Sequence, residues 1–132
     1  MSSSRPARCV VDASAVLSVI FREPDFEHVL RALPPSGLVA PPLLAIEVAN
    51  VARTKVRRGE VTRADAEALL TSFERWRVRR VDVRARDAWD VAFAYGLTLY
   101  DAAYLHLAME RRLPIVTLDA ELRRVAGARA LP

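Results

Sequence analysis

The sequence has few of the features that mark secreted and membrane proteins. Cys9 is the only cysteine among 132 residues, so no disulfide can form within the chain. No apolar run approaches the roughly 20 residues that a membrane-spanning helix requires. The polar start, MSSSRPARC, is not followed by an apolar signal segment, and residues 1–7 are interpreted as a frayed tail. These absences favour a cytoplasmic protein that does not contact a membrane.

Lysine is also scarce, because Lys55 is the only lysine among the 20 basic residues and the others are arginines. The net charge is +4. Arginine presents a planar fork of donors that matches phosphate geometry, so a polyanion is a better predicted partner than a cation or a membrane. Each basic cluster taken alone is typical of a solvated helix face. The residues that we predict to contact phosphate are Arg53, Lys55, Arg57 and Arg58.

Short β-branched runs alternate with helical patterns along the chain. The order of strand, aspartate and helix occurs in RCVVDASAVL near the start and again in PIVTLDAELRRV near the end. This alternation predicts an α/β fold with a central, largely parallel sheet, and right-handed crossovers then place helices on both faces, in three αβα layers. No repeat, low-complexity segment or long linker divides the chain, so a single domain is predicted over residues 1–132.

Three aspartates stand where a helix is predicted to begin. Asp12 and Asp119 each lie between a strand pattern and a helix pattern. Asp101 follows Thr98 by three residues, near the start of the apolar segment LTLYDAAYLHLAME, which is predicted to form a buried helix. Aspartate is a common helix N-cap, worth ~1 kcal/mol, and Thr98 with Asp101 fits a capping box. Each aspartate considered alone can therefore be structural.

Glu47 is harder to explain as a structural residue. It lies in the middle of the predicted helix LLAIEVANVA and shares one helix face with Asn50 and Thr54. A solvated stripe would explain these three residues, but the helix is too apolar for the surface, so we expect the stripe to face an enclosed polar site. An unpaired buried charge is very costly. The nearest positive side chains, Arg53 and Lys55, come only later in the chain.

The four acidic residues can converge at one end of the sheet. Ligands of open parallel sheets bind beyond the carboxyl ends of the strands, where the local sequence places Asp12 and Asp119. The helices that carry Glu47 and Asp101 can enter the same end. Four carboxylates in one cleft repel one another, and a divalent cation removes that penalty.

An all-oxygen ligand set favours Mg²⁺, with Mn²⁺ as an alternative. The single cysteine and the two histidines show no spacing typical of a zinc site. A carboxylate-bound Mg²⁺ can orient a phosphate group and make bound water more nucleophilic. An acidic metal site on a basic protein therefore predicts hydrolysis of phosphodiester bonds.

The segments VVDASA, AIEVANV, LTLYDAAYLHLA and IVTLDAEL occur in an order and spacing that resemble the PIN-domain ribonucleases, specifically the VapC-like toxins of bacterial type II toxin–antitoxin pairs. The resemblance extends from Val10 to the C-terminus. It implies a PIN-like fold, Mg²⁺-dependent endonucleolytic cleavage of RNA, a homodimer, and a cognate VapB-like antitoxin that blocks the cleft. It also implies four acidic metal ligands, a hydroxyl residue before the last of them and two supporting polar residues. In this sequence these are Asp12, Glu47, Asp101 and Asp119, then Thr117, then Ser14 and Asn50.

Other interpretations remain open. A non-catalytic RNA- or protein-binding module on the same fold would carry the same caps and acidic stripe as structural features. A receiver-type phospho-acceptor domain also groups aspartates at strand ends, but it expects a lysine after a late strand, and Lys55 lies in a predicted helix. A phosphatase of the DxDx type needs a second aspartate, which DAS at 12–14 lacks. Packing in the core or at a dimer surface, rather than a role in the site, is predicted for Tyr104, His106, Trp76 and Trp89.

Overall fold

The computed structural model describes residues 6–131, in which five strands form one sheet flanked by seven helices. Residues 1–5 of the predicted tail, and Pro132, lie outside the described residues. The strands are β1 (Cys9–Val11), β2 (Leu38–Ala40), β3 (Val78–Arg80), β4 (Ile115–Val116) and β5 (Ala130–Leu131). The helices are α1 (Ala13–Ile20), α2 (Phe26–Ala32), α3 (Leu43–Arg57), α4 (Arg63–Glu74), α5 (Ala85–Tyr95), α6 (Leu99–Arg111) and α7 (Ala120–Ala126).

The strand order is β3-β2-β1-β4-β5, and every neighbouring pair is parallel. The predicted three-layer α/β fold is therefore confirmed. Strand β5 is an addition that the sequence analysis missed, because two residues without a β-branched side chain carry no strand signal. We call the end at which the parallel strands begin the amino end of the sheet, and the end at which they finish the carboxyl end.

The three inner strands are buried at every position, which explains why their sequences are continuous apolar runs rather than alternating patterns. The edge strand β3 differs, because Arg79 and Arg80 are exposed. Cys9 is fully buried in β1, and burial raises the pKa of its thiol to about 12, as expected of a small apolar core residue. Within residues 6–131, no helix combines the length and the apolar character that crossing a membrane requires.

Aspartates cap the two helices that follow β1 and β4 at the carboxyl end of the sheet. Asp12 caps α1 and Asp119 caps α7, since their carboxylates accept hydrogen bonds from the backbone N–H groups of Ala15 and Leu122. Both capping interpretations are thus confirmed. The N-cap of α6 is Thr98, and Asp101 lies in the first turn after it.

The prediction that the whole apolar segment 97–110 is buried is wrong for its first helical turn. Leu99 and Tyr100 are 44% and 63% exposed, whereas the positions from Ala102 to Leu105 are buried. Helix α6 packs against α5 and β1. Its first turn lies at the surface beside the carboxyl end of the sheet, so an apolar composition alone did not locate the boundary of the core.

A close backbone approach shapes the amino end of the sheet. Gly37, directly before β2, has φ +103°, a value that residues with a side chain rarely adopt. A Cβ atom at this position would overlap the carbonyl oxygen of Ala7. The N–H of Cys9 donates to the Gly37 carbonyl at 3.1 Å. Glycine therefore allows the segment before β1 to lie directly against the start of β2.

Candidate active site

Asp12 is the most buried acidic residue of the carboxyl end. It directly follows β1, and only 4% of it is exposed. Its Oδ1 atom accepts hydrogen bonds from Ser14 Oγ at 2.7 Å and from the N–H of Ala15 at 3.1 Å. Its Oδ2 atom accepts a hydrogen bond from Thr117 Oγ1. Because Thr117 directly follows β4, the neighbour of β1 in the sheet, strand pairing brings together two side chains that are 105 positions apart.

The two hydroxyl residues beside Asp12 also organise the loop that leads to Asp119. Ser14 Oγ accepts a hydrogen bond from the N–H of Leu118 at 2.8 Å. Thr117 Oγ1 accepts one from the N–H of Asp119 at 3.0 Å. The loops after β1 and β4 are therefore held to each other by side-chain hydroxyl groups. This network fixes the backbone that carries Asp119.

Glu47 accepts a hydrogen bond from a side chain that was not predicted to contact it. Tyr104 is 1% exposed, and its hydroxyl donates a hydrogen bond to Glu47 Oε1 at 2.7 Å, which joins α6 to α3. The sequence signal for this contact was available, because a tyrosine in a buried apolar helix needs a hydrogen-bond partner for its hydroxyl. Tyr104 is therefore both a core residue, as predicted, and a contact of the acidic site.

The removal of the Tyr104 hydroxyl should affect Glu47 in a measurable way. We expect Tyr104→Phe to raise the pKa of Glu47, because the lost hydrogen bond stabilises the ionised carboxylate. A hydrogen bond to a charged group contributes about 1.5–3 kcal/mol, and we expect a loss of that order in the free energy of unfolding at neutral pH. Carboxyl ¹³C NMR titration and urea denaturation of metal-free protein measure the two effects.

Tyr100→Phe is the matched control for this substitution, since Tyr100 lies on the same helix and is exposed. We expect the control to change neither the pKa of Glu47 nor the unfolding free energy. An unchanged Glu47 titration in Tyr104→Phe would show that the hydroxyl does not act on the carboxylate.

Burial and neighbouring charge raise the pKa of Asp12, whereas the hydrogen bonds to its carboxylate lower it. Burial raises the pKa of Asp12 from 3.8 to about 6, although hydrogen bonds from Thr117, Ser14 and Ala15 favour the ionised form. The charge of Asp101 adds to the increase. Proton loss from Asp12 is therefore unfavourable in this environment until the pH approaches neutrality.

Asp101 is the carboxylate that links the acidic residues electrostatically. Its charge raises the pKa of Asp12 and also that of Glu47, for which burial is the larger cause. The pKa of Asp101 is itself raised, first by burial and then by the charge of Asp119. Asp101 thus interacts electrostatically with each of the other three acidic residues at the carboxyl end of the sheet.

The donor set suits a hard divalent cation, since all four groups are carboxylates and share a repulsion that a cation would relieve. Their side chains are not gathered around one point. Across residues 6–131, no three His, Cys, Asp or Glu side chains lie close enough together to hold a metal ion. Ion binding here therefore requires side-chain movement, for which the half-buried Glu47 and Asp101 have more room than the buried Asp12.

Other residues that the sequence singles out have different surroundings, including His106, which was predicted to pack in the core rather than to join the site. The expectation that an enclosed polar site accommodates the whole stripe on α3 is wrong at Asn50, whose side chain is exposed. Lys55 forms ion pairs with Glu23 at 3.7 Å and Glu60 at 3.8 Å, so its charge is already matched. His106 is only partly buried and lies 3.4 Å from a carboxylate oxygen of Glu110. The exposed arginines on the last turns of α3 are Arg53, Arg57 and Arg58.

The fold agrees with comparison to known proteins. Residues 9–128 match the family model of the PIN domain. The chain belongs to the PIN-domain family, whose model covers nearly its whole length. Within that family the chain is VapC-like. Two relatives support this: Ribonuclease VapC3 of Pyrobaculum aerophilum is 32% identical over 130 residues, covering 95% of this chain and 99% of the relative. Ribonuclease VapC1 of Mycobacterium tuberculosis is 32% identical over 128 residues, covering 94% and 92%.

Solved structures show the same architecture. The crystal structure of PAE2754 from Pyrobaculum aerophilum has a TM-score of 0.75 at 27% identity, covering 95% of this chain and 90% of that chain. A toxin–antitoxin complex from Klebsiella pneumoniae contains a chain with a TM-score of 0.68 at 15% identity, covering 94% and 96%. The second likeness concerns the fold alone.

Proposed function

We propose that this protein is a Mg²⁺-dependent endoribonuclease that hydrolyses RNA phosphodiester bonds and acts as the toxin of a toxin–antitoxin pair. The observation that carries the proposal is the electrostatic link from Asp101 to three other carboxylates at the carboxyl end of a parallel sheet. The net charge of +4 and the similarity to relatives that are named ribonucleases support it. A structural role for the acidic residues does not require them to share one another's fields.

The ligands that we propose for Mg²⁺, or for Mn²⁺, are Asp12, Glu47, Asp101 and Asp119. Such an ion, when bound, orients a phosphate group and makes a water molecule more nucleophilic. The remaining residues of the site position these ligands. Thr117 and Ser14 hold the Asp12 carboxylate by hydrogen bonds, and Tyr104 holds Glu47. Asn50 stands one turn after Glu47, at the exposed border of the site, where it can contact RNA.

RNA binding near this site is proposed for the exposed arginines of α3. Arg53 and Arg57 border a groove of about 590 Å³ between α3 and α4. Guanidinium groups at such a border can hold phosphate oxygens in two-pronged hydrogen bonds. Their role is to hold the polyanion, while the carboxylates supply the reaction centre.

Metal removal tests the proposal directly. We expect purified protein, freed of any bound partner by denaturation and refolding, to cut single-stranded RNA internally when Mg²⁺ or Mn²⁺ is present. We expect no cleavage in excess EDTA, and recovery when Mg²⁺ is restored, because the carboxylates alone lack an electrophile. Anomalous density beside the four acidic residues in a Mn²⁺-soaked crystal would support the ligand assignment. Cleavage that persists in EDTA, or is absent with Mg²⁺, would contradict it.

We further propose that the toxin is a homodimer and that a VapB-like antitoxin blocks its acidic cleft. An exposed aromatic pair on α5 supports the dimer: Trp89 and Phe93 are 50% and 74% exposed, and their ring centroids are 4.9 Å apart. Apolar side chains of this size are unusual on a surface that stays in water. Light scattering should give twice the chain mass of 14.7 kDa for the parental protein and the chain mass for Phe93→Glu.

A further inference from the structure

Three arginines lie at the amino end of the sheet, opposite the acidic site. Arg8 directly precedes β1, Arg77 directly precedes β3, and Arg79 is the middle residue of β3. Strands β1, β2 and β3 are parallel neighbours, so the residues that precede them share one end of the sheet. The acidic residues and Thr117 follow strands at the other end. This basic cluster is therefore separate from the acidic site, and its depression shares no lining residue with the groove between α3 and α4.

The three arginines surround one open depression of about 290 Å³. Gly37, directly before β2, and Leu38 and Val39 at its start also line the depression. The contact of Gly37 with Ala7 holds the segment before β1 against β2, and it thereby places Arg8 on the same depression as the two arginines of β3. The arrangement depends on a backbone feature that few residues other than glycine would tolerate.

The guanidinium groups of Arg8, Arg77 and Arg79 have no carboxylate partner among residues 6–131. All three side chains are exposed. Some exposed arginines elsewhere do have such a partner, among them Arg84 with Asp87, Arg86 with Asp90 and Arg124 with Glu121. Protection of an exposed sheet edge explains a charge in β3, but it does not explain Arg8, which precedes a central strand.

We propose that Arg8, Arg77 and Arg79 form a binding site for the phosphate backbone of single-stranded RNA, at the opposite end of the sheet from the acidic site. Guanidinium forks match phosphate oxygens, and three of them around one depression can contact successive phosphates. The described residues that line the depression offer guanidinium groups to phosphates and no aromatic ring to bases, and phosphate contacts do not depend on base sequence, so we expect binding without sequence preference. The choice of RNA as ligand rests on the proposed function.

The site extends the region of the protein that RNA contacts. An RNA of about six nucleotides can occupy one end of the sheet, whereas one of about twenty can contact both ends. We expect the longer RNA to bind more tightly and with a steeper salt dependence, because it releases more counterions. The amino-end arginines should account for that difference.

The experiment compares two triple variants that lose the same charge. Arg8→Gln/Arg77→Gln/Arg79→Gln removes the proposed site, and Arg84→Gln/Arg86→Gln/Arg124→Gln removes three exposed arginines that pair with carboxylates. Both are made with Asp101→Asn so that RNA is not cut during the measurement. Fluorescence anisotropy with the longer RNA, over a series of KCl concentrations, gives the slope of log K against log salt.

We expect the slope to fall by about 2 in the first variant, because each phosphate contact on a single strand contributes ~0.7. The control should lose less than half of that. Equal losses in the two variants, or no measurable binding by the parental chain, would overturn the proposal. If a glutamate-rich peptide of equal charge competes as well as RNA, the ligand is an acidic protein segment and the RNA assignment is wrong. RNA cleavage is assayed separately, so a failure of the proposed nuclease leaves the binding comparison valid.

Discussion

Asp101→Asn is expected to reduce Mg²⁺-dependent RNA cleavage by at least about 100-fold while the protein folds normally. Asp101 is the carboxylate whose field reaches Asp12 and Glu47 and which is itself affected by Asp119. Asparagine keeps the shape and removes the charge that a cation would bind. A loss of about 3 kcal/mol of transition-state stabilisation, within the range of metal catalysis, corresponds to this rate change.

The fold should tolerate this substitution because the cap of α6 does not use the Asp101 side chain as its acceptor. Thr98 Oγ1 accepts a hydrogen bond from the backbone N–H of Asp101 at 3.2 Å, and asparagine keeps that N–H. The pKa of Asp101 is raised by burial and by Asp119, so its charge is unfavourable in metal-free protein at neutral pH. Its removal should therefore leave the melting temperature equal to or above that of the parental chain.

The chain contains a matched control for the structural role. Asp65 stands three residues after Thr62, the N-cap of α4, and its N–H donates to Thr62 Oγ1 at 3.1 Å. Asp65→Asn thus makes the same change at the same helix position without the neighbouring carboxylates. We expect the control to cut RNA at the parental rate. If Asp101→Asn also retains that rate, or is clearly less stable than Asp65→Asn, Asp101 is a structural residue.

The local parts of this site could be predicted from the sequence. Asp12 and Asp119 each follow a short apolar strand and precede a helix, and a parallel sheet brings such positions to one end. The strand and helix order needed only the alternation of β-branched runs and helical periods. These features depend on residues that are close together in the chain, so they can be predicted from the sequence alone.

The contacts between distant elements could not be predicted in the same way. The neighbouring sequence offers Glu47 only positive side chains as partners, whereas the observed partner is a tyrosine 57 positions away. The pairing depends on how α6 packs across the sheet relative to α3. The same limit applies to Arg8 and Arg77, which are far apart in the chain and meet only because β1, β2 and β3 are adjacent. Without the strand order, each of these arginines could be interpreted only as a solvated surface residue.

The stability of the metal-free protein should depend strongly on pH. We expect the free energy of unfolding of metal-free protein to increase as the pH falls from about 7.5 to about 5. The pKa of Asp12 is 3.8 in its ordinary state and about 6 in the folded protein. Between these values the folded state binds more protons than the unfolded state, so stability decreases as pH rises through about 6. The increase of two pKa units corresponds to about 3 kcal/mol at neutral pH.

Glu47 and Asp101 act in the same direction, because their pKa values are also raised. Two surface carboxylates oppose the trend: Arg84 lowers the pKa of Asp87, and Arg124 lowers that of Glu121. Both groups lie at the surface, where solvent weakens their ion pairs, and their carboxylates lose their charge only below the ordinary pKa range. Their effect therefore falls at lower pH than the transition of Asp12.

Urea denaturation in EDTA at several pH values measures this change in the free energy of unfolding, and Asp12→Asn is the variant that should reduce it.

A second experiment repeats the pH series with added Mg²⁺. A cation that binds the ionised carboxylates stabilises only the folded state, so the stabilisation by Mg²⁺ should be large at pH 7.5 and shrink towards pH 5 as the ligands take up protons. A stability that rises with pH through 6 in metal-free protein would mean that the charge of Asp12 is already compensated within the fold. The four carboxylates would then have no need of a cation, and the metal site that we propose would lose its physical basis.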